Sequence, residues 1–182
     1  MRRSEKDVVN FLNHGIRLVK VKDFDLQLLE DNNLTPSILL DYSLFNDSVV
    51  SFRSAWLLEH VVLKHPSIIT NIYDQYINTL ENQKNWSAIR CLTKLAMLAS
   101  NGKNRITHTS QQIDRLVGVC FNWVIDPQCP VAAKVNCLDI IANFNTHAPW
   151  IKTELQAQID YLLIDASAAL VARSKQIRKR IQ

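Results

Sequence analysis

A pair of histidines next to a glutamate is the arrangement in this sequence that most invites metal chemistry. Glu59 and His60 are adjacent, and His65 follows five residues later, directly before Pro66. Zinc-binding histidines of the HExxH type are four residues apart, which places both rings on one face of a helix. A separation of five residues puts them on different faces. The spacing therefore predicts no metal site here.

The remaining reactive side chains also lack a catalytic arrangement. Successive cysteines are separated by 29, 9 and 8 residues, which does not match a zinc framework; they are Cys91, Cys120, Cys129 and Cys137. Three of them lie in apolar helical runs, which predicts buried free thiols. No recognisable nucleophile setting and no glycine-rich phosphate loop occurs. We predict no catalytic residue and no cofactor, while acid–base chemistry between residues distant in sequence stays open.

Four tryptophans suggest a possible stacking surface for nucleic-acid bases. Trp56 and Trp123 fall on apolar helix faces, which predicts that they belong to the core. Trp86 and Trp150 stand at predicted helix starts, where partial exposure is expected. Stacking proteins also need a basic groove that follows the phosphates.

The charge distribution disfavours such a groove. The net charge is +4, but the last ten residues hold five cations and no acid, so residues 1–172 sum to −1. A nearly neutral body does not predict a general nucleic-acid surface. The basic C-terminal run either complements the negative end of the last helix or docks an acidic protein, RNA or a membrane surface. We find no membrane-spanning run and no secretory segment, so we expect a cytoplasmic location.

Helical periodicity runs through the whole chain. The clearest helix covers 48–64, with Asp47 as its N-cap, and Thr35-Pro36 is a strong start signal for an earlier one. Further helices are predicted over 66–80, 84–99, 109–125, 130–144, 149–163 and from 165 to about 181. Only three glycines are present, which disfavours a fold with many tight turns. We expect an all-α chain of nine or ten helices, most of them paired.

One cation recurs at an equivalent place in four of these helices. These cations are Arg53, Arg90, Lys134 and Arg173. They lie 37, 44 and 39 residues apart, close to the period of a two-helix solenoid repeat. The row predicts a helical repeat whose second helix carries the cation.

Three aspartates precede these cations at related distances. Asp126 and Asp165 stand eight residues before Lys134 and Arg173, and Asp47 stands six before Arg53; the second repeat has no such aspartate. We expect each aspartate to cap the second helix of its pair and to form a half-buried ladder with the cations. The alternative is a row that faces an acidic partner.

These residues resemble HEAT repeats, whose second helix often carries an Asp-x-Val-Arg-x-x-Ala type motif. The matching points are Phe52 to Leu58, Ile89-Arg90, Pro130 to Lys134 and Ala172-Arg173. More narrowly, the chain is similar to a family of small HEAT-like proteins found in Bacteroidetes-type bacteria. The resemblance covers residues 47–182, and the first 46 residues are only compatible with it.

The resemblance implies one domain over residues 1–182. Its fold would be a right-handed α-α superhelix of the HEAT/armadillo type with about four helix pairs and irregular N-terminal helices. It implies a non-catalytic protein-binding or scaffold module whose partner is another protein. The alternative is a nucleic-acid-binding protein, because HEAT-like DNA-alkylation glycosylases use tryptophans of the kind described above.

Overall fold

Helices form nearly all of the regular structure. The computed structural model describes residues 4–102 and 106–182, and within them no strand occurs. The chain divides into two compact units, Met1–Leu95 and Ala96–Gln182. The expectation of a single domain over residues 1–182 stays a prediction.

The first unit opens with short helices and continues with two helix pairs. Its helices are α1 (Glu5–Asn13), α2 (Leu26–Asp31), α3 (Pro36–Ser43), α4 (Ser48–Lys64), α5 (Ile68–Asn71), α6 (Tyr73–Asn82) and the first part of α7 (Trp86–Ser100). Thr35 accepts a hydrogen bond from the backbone N–H of Ile38, with Pro36 in the first turn of α3. Asp47 accepts from the backbone N–H groups of Val49 and Val50 and so caps α4. Both predicted helix starts are confirmed.

The predicted helix over 66–80 is wrong in one respect, because the structure divides it into α5 and α6. The break falls at Ile72, whose φ of −117° lies outside the helical range. Isoleucine or threonine occupies four of the five positions 68–72. These β-branched side chains lose rotamer freedom in a helix, which makes a continuous helix less favourable there.

The helix pairs of the first unit stack in register. Helix α3 packs on α4, its partner in the pair, and also on α6, the first helix of the following pair. The Tyr76 hydroxyl donates to the Leu92 carbonyl oxygen at 2.6 Å, which joins α6 to α7. Lys94 on α7 reaches Glu59 on α4 at 2.7 Å. First helices therefore contact first helices, and second helices contact second helices.

The second unit repeats this plan. It contains the end of α7, followed by α8 (Ser110–Ile125), α9 (Val131–Asn143), α10 (Pro149–Leu162) and α11 (Ala168–Arg180). Helices α8 and α9 form one pair, and the second helices α9 and α11 pack on each other. We call α3, α6, α8 and α10 the first helices, and α4, α7, α9 and α11 the second helices.

Each unit has its own apolar core. Leucines and isoleucines of the paired helices are fully buried in both units, including Leu57, Leu58, Leu138 and Ile141. All four cysteines are buried free thiols, whereas the sequence predicted this for three of them. None of the described helices is both long enough and apolar enough to cross a bilayer.

Candidate functional site

Two of the four predicted cations bind backbone carbonyls at helix ends. Arg53 donates from Nη1 to the carbonyl oxygen of Leu12 at 3.1 Å and, by a shorter contact, to that of Asn13. Lys134 donates from Nζ to the Val124 carbonyl oxygen at 3.0 Å. The last carbonyls of a helix lack an intrahelical partner and carry partial negative charge. Arg53 and Lys134 therefore cap the C-terminal ends of α1 and α8.

The other two predicted cations have different surroundings. Arg173 forms an ion pair with Asp139, with Nε 3.2 Å from Oδ2. The Arg90 side chain is exposed on α7. Arg53 and Arg90 thus belong to the first unit, and Lys134 and Arg173 to the second. That the four form one row facing a partner stays a prediction.

The predicted pairing of these cations with Asp47, Asp126 and Asp165 is wrong. Asp47 caps its own helix, as described above. Asp126 follows α8 and accepts from the backbone N–H of Gln128 at 2.7 Å. Asp165 lies exposed in a 3₁₀ turn. The connection after each of these two aspartates moves the next helix start out of reach, so that Pro130 and Ser167 occupy the N-cap positions of α9 and α11.

A buried glutamate in the first unit replaces part of the predicted ladder. The Glu59 side chain on α4 is only 5% exposed, and its Oε1 lies 2.7 Å from Nζ of Lys94 on α7. An ionised carboxylate in this position needs a partner, because its hydration is lost. The buried thiol of Cys91 lies close by, and burial and the Glu59 carboxylate raise its pKa.

A buried aspartate occupies the corresponding place in the second unit. The Asp139 side chain on α9 is 5% exposed and contacts two arginines of α11, Arg173 at 3.2 Å and Arg180 at 3.4 Å. Arg180 also donates to the Asp139 backbone carbonyl oxygen at 3.2 Å. Burial raises the pKa of the Asp139 carboxyl, although both guanidinium groups oppose that rise.

We did not predict from the sequence that Glu59 and Asp139 are buried and paired with cations of the next second helix. Each is a single acid inside a mostly apolar helical run, Leu57 to Val62, which also contains His60, and Cys137 to Ala142. An unaccompanied carboxylate in such a run signals a buried ion pair, since its neighbours must face the core. Each unit therefore has a buried acid paired with the next second helix of that unit, and Arg173 is the one predicted cation that takes part in such a pair among the described residues.

Burial of these two acids leaves the second helices with an electropositive exterior. All four second helices lie within the described residues, and together they contain ten cations and only two acids, Glu59 and Asp139. The four first helices contain two cations and six acids. Because both acids of the second helices are buried and paired, these helices present no carboxylate to solvent.

An apolar and aromatic stripe runs along the exposed face of α4. We define the α4 stripe as Val49, Phe52, Trp56, His60 and Leu63. The two ends are 41% and 48% exposed, and the three central residues are partly exposed. Their spacing by three or four residues places all five on one face of the helix.

Ring contacts hold the centre of the α4 stripe in place. The Trp56 ring meets the edge of the buried Phe24 ring, with centroids 4.8 Å apart, and it stacks on Phe52 at 6.2 Å. His60 contacts Trp56 and Phe24 edge-on at 5.6 Å in both cases. Burial among these rings lowers the pKa of His60, with the nearby Glu59 carboxylate opposing that effect.

The tryptophans were placed correctly with one exception. Trp123 is 9% exposed and Trp150 is 50% exposed, as predicted for a core and a helix-start residue. Trp86 is partly exposed, also as predicted. The prediction that Trp56 belongs to the core is wrong, since its outer part reaches solvent on the α4 stripe.

His65 takes part in a surface cluster with Asp25 and Lys64. Its Nε2 lies 2.6 Å from Oδ1 of Asp25, and Lys64 donates to the Lys22 carbonyl oxygen at 2.7 Å. The hydrogen bond from His65 is the main cause that lowers the pKa of Asp25 to about 2. These contacts join the end of α4 to the start of α2.

A cavity of about 690 Å³ opens in the first unit at the loops before α4 and α7. Its polar lining binds the loops together: the Gln83 side chain donates to the Ser43 carbonyl oxygen, and the Asn85 side chain donates to that of Ser48, both at 2.8 Å. Lys84 is the one ionisable residue among the described lining. A general acid–base pair is therefore not formed by these walls.

Comparison with known proteins agrees with the stacked helix pairs. The profile of the HEAT repeat domain matches residues 15–181, and so extends further towards the N-terminus than the resemblance over 47–182. No curated protein and no solved structure matches significantly. The match spans most of the sequence, and the described helices give the all-α architecture of a HEAT-like α-solenoid. The chain therefore belongs to the HEAT repeat domain family.

Proposed function

We propose that this chain is a non-catalytic binding module that docks an acidic protein partner on the second helices of one of its units. HEAT repeats form protein-interaction scaffolds, and the helix pairs described above supply that frame. The observation that carries the proposal is the burial of both second-helix acids, Glu59 and Asp139, which leaves the second helices without an exposed carboxylate of their own. One exposed acid of a first helix, Asp160 on α10, pairs with Arg178 on α11. Such a surface attracts an anionic partner and repels a cationic one.

The nucleic-acid alternative competes for the same surface. Phosphates would also be attracted to the second helices, and partly exposed aromatic rings can stack on bases. Several of these cations, however, are already used within the protein: Arg53 and Lys134 by carbonyls, and Lys94 by Glu59. An acidic protein that adds apolar contacts requires fewer unpaired cations than a phosphate chain does.

A cytoplasmic location and a Bacteroidetes-type bacterial origin belong to the proposal as well. Four free, buried thiols are compatible with a reducing compartment, because such a compartment does not favour disulfides.

Crosslinking in cells that naturally produce the protein tests the function. The tagged chain is crosslinked and purified, and bound proteins and nucleic acids are quantified. A matched pair of variants, Lys175→Glu on the second helix α11 and Lys152→Glu on the first helix α10, makes the same charge change on the two kinds of helix. The second-helix variant Arg90→Glu on α7 makes the test in the first unit. We expect an acidic protein whose recovery falls with Lys175→Glu or with Arg90→Glu and is retained with Lys152→Glu.

Three results would overturn the proposal. Recovery of nucleic acid that nuclease removes, with affinity falling steeply as salt rises, would favour the alternative. Equal recovery with Lys175→Glu, Arg90→Glu and Lys152→Glu would separate binding from the second helices. Turnover of a defined substrate by the purified chain would show that the module is an enzyme.

A further inference from the structure

We infer that the α4 stripe, with the cations that flank it, is a docking site for an acidic amphipathic helix. This inference rests on the proposed function and adds to it the place and the form of the partner segment. The site lies wholly within the first unit, on α4 and on the adjacent part of α7.

The dimensions of the stripe suit a helical ligand. Val49 and Leu63 are 14 positions apart in α4, so the stripe is about 21 Å long at 1.5 Å per residue. A helix of about four turns carries apolar residues at positions i, i+4, i+7 and i+11 over a similar length, and helix-in-groove recognition uses such anchors. The exposed apolar ends and the partly exposed rings between them provide the matching surface.

Cations lie on both sides of the stripe. On one side α7 carries Arg90 and Lys94, both exposed, and Lys94 is anchored 2.7 Å from Glu59 of α4. On the other side Arg53 reaches the end of α1, and Lys64 reaches Asp25 at 3.4 Å. Lys94 and Lys64 are paired with acids. Arg90, however, is exposed, and Arg53 contacts only uncharged carbonyl groups. A ligand helix with carboxylates on both edges of its apolar face would therefore meet Arg90 on one side and Arg53 on the other.

Two exposed acids border the site, and both are engaged within the protein. Asp47 accepts from the backbone N–H groups of Val49 and Val50 at the start of α4. Asp25 is held by His65 at 2.6 Å and by Lys64 at 3.4 Å. Glu59 is buried. The local field therefore remains favourable to a carboxylate ligand, most of all near Arg90.

The observations favour a peptide helix over a nucleic acid at this place. Residues 1–95 contain eleven basic and eleven acidic residues, which gives little long-range attraction for a phosphate chain. Val49 and Leu63 at the two ends of the stripe are aliphatic and cannot stack on bases. They are well suited to cover leucine or isoleucine side chains.

Trp56, which we take as the anchor residue of the site, is held by ring contacts before any ligand binds. Trp56 is fixed by Phe24 and stacked on Phe52. An aromatic anchor that is already ordered loses little conformational entropy on association, and tryptophan is common at the energetic centre of interfaces.

A synthetic helix serves as the probe. It has about 18 residues, four leucines at i, i+4, i+7 and i+11, and glutamates on both edges of that face. Controls are a peptide of the same composition with the leucine spacing scrambled, a peptide with lysines in place of the glutamates, and a single-stranded oligothymidylate of similar length. Binding is measured by fluorescence anisotropy and located by amide chemical-shift changes in the ¹⁵N-labelled full chain.

Two pairs of matched variants locate the site. Leu63→Glu and Arg90→Glu alter exposed positions of the site, so the fold is retained. Leu18→Glu and Arg17→Glu make the same changes at exposed positions of the turn Gly15–Leu18, outside the second helices. Trp56→Ala removes the anchor, with circular dichroism as the check on folding.

We expect the acidic helix to bind with shift changes along α4 and α7. Leu63→Glu and Arg90→Glu should each lower the affinity for the acidic helix at least about tenfold. The control variants Leu18→Glu and Arg17→Glu should lower that affinity by about twofold or less. The inference would be overturned if the site variants and the control variants weakened binding equally, or if the shift changes lay outside α4 and α7. It would also be overturned if the scrambled peptide bound as tightly as the acidic helix. Preferred binding of the oligothymidylate to the same residues would assign the site to nucleic acid.

Failure of this site and failure of the proposed function are distinguishable. If Lys175→Glu abolishes crosslinking to an acidic protein while Arg90→Glu and Leu63→Glu do not, the function stands and the α4 stripe is not the docking site. If no acidic protein is recovered at all, the function itself fails.

Discussion

The two units neutralise a buried carboxylate with different side chains. Each has a carboxylate buried in the middle of a second helix and neutralised by the next second helix of that unit. In the first unit one lysine, Lys94, forms an ion pair with Glu59. In the second unit Arg173 and Arg180 both form ion pairs with Asp139. The pair fixes the stacking of adjacent second helices in both units, but only the second unit has a reserve partner.

The two units differ more in their surface residues than in the arrangement of their helix pairs. The first unit balances eleven basic with eleven acidic residues and exposes the α4 stripe, whereas residues 96–182 contain ten basic and six acidic residues, with five of the cations on α11. The same arrangement of helix pairs therefore exposes an apolar stripe in one unit and a concentration of cations in the other.

The largest expected effect comes from removing the single lysine partner. Lys94→Met should lower the free energy of unfolding by about 3 kcal/mol, because the buried Glu59 carboxylate loses its counter-charge. Arg173→Met should cost only about 1 kcal/mol, since Arg180 continues to contact Asp139. Urea denaturation of both variants, followed by circular dichroism, measures the difference.

A double variant tests the cause of that loss. Glu59→Leu combined with Lys94→Met should recover most of the stability, since an apolar pair of similar volume removes the buried charge. If the double variant is as unstable as Lys94→Met, the pair is not the reason for the difference between the units.

The next effect concerns the two cations that cap helix ends. Arg53→Ala should cost about 1.5 kcal/mol, because a charge-assisted contact with two carbonyl oxygens at the end of α1 is lost. Lys134→Ala should cost about 1 kcal/mol, since Lys134 contacts only the Val124 carbonyl oxygen. Hydrogen exchange should accelerate in α1 for the first variant and at the end of α8 for the second. Uniform acceleration over both units would contradict this local role.

These roles mark the boundary of what sequence could predict. Periodicity and cap residues gave α4 as 48–64 and its cap at Asp47, because both are local properties of the chain. The cation positions were also found, since they repeat. Their partners depend on which helix end lies beside them, and Arg53 and Leu12 are about forty positions apart.

The aspartates show how a regular spacing can mislead. Asp126 and Asp165 stand at equal distances from their cations, yet the length of the connection decides whether a residue can cap a helix. Glu59 and Asp139 gave a signal that was present in the sequence, a lone acid among apolar residues. The α4 stripe required the structure, because only packing shows that Trp56 retains an exposed edge.

A smaller effect is expected from the three aspartates of the predicted ladder. Asp47→Ala should cost about 1 kcal/mol, because the N-terminal N–H groups of α4 lose their acceptor. Asp126→Ala and Asp165→Ala should each change stability by less than about 0.5 kcal/mol, since neither caps a helix. Thermal unfolding of the three variants under identical conditions measures these differences. Equal losses would restore the idea of a repeated capping aspartate in both units.

The smallest effect is a pH dependence at the surface of the first unit. The pKa of Asp25 is lowered to about 2, chiefly by His65, from an ordinary value of 3.8. A carboxyl whose pKa is depressed by folding contributes stability that is present above about pH 3.8 and is lost as the pH falls towards 2. Because Asp25 is solvent-exposed, the contribution should be slight.

Carbon-detected NMR titration should place the Asp25 midpoint near 2 and that of Asp139, whose pKa burial raises, above 3.8. In His65→Ala the Asp25 midpoint should move up towards 3.8 while that of Asp139 stays unchanged, since the two carboxyls belong to different units. An Asp25 midpoint that does not respond to His65→Ala would show that the hydrogen bond is not the cause.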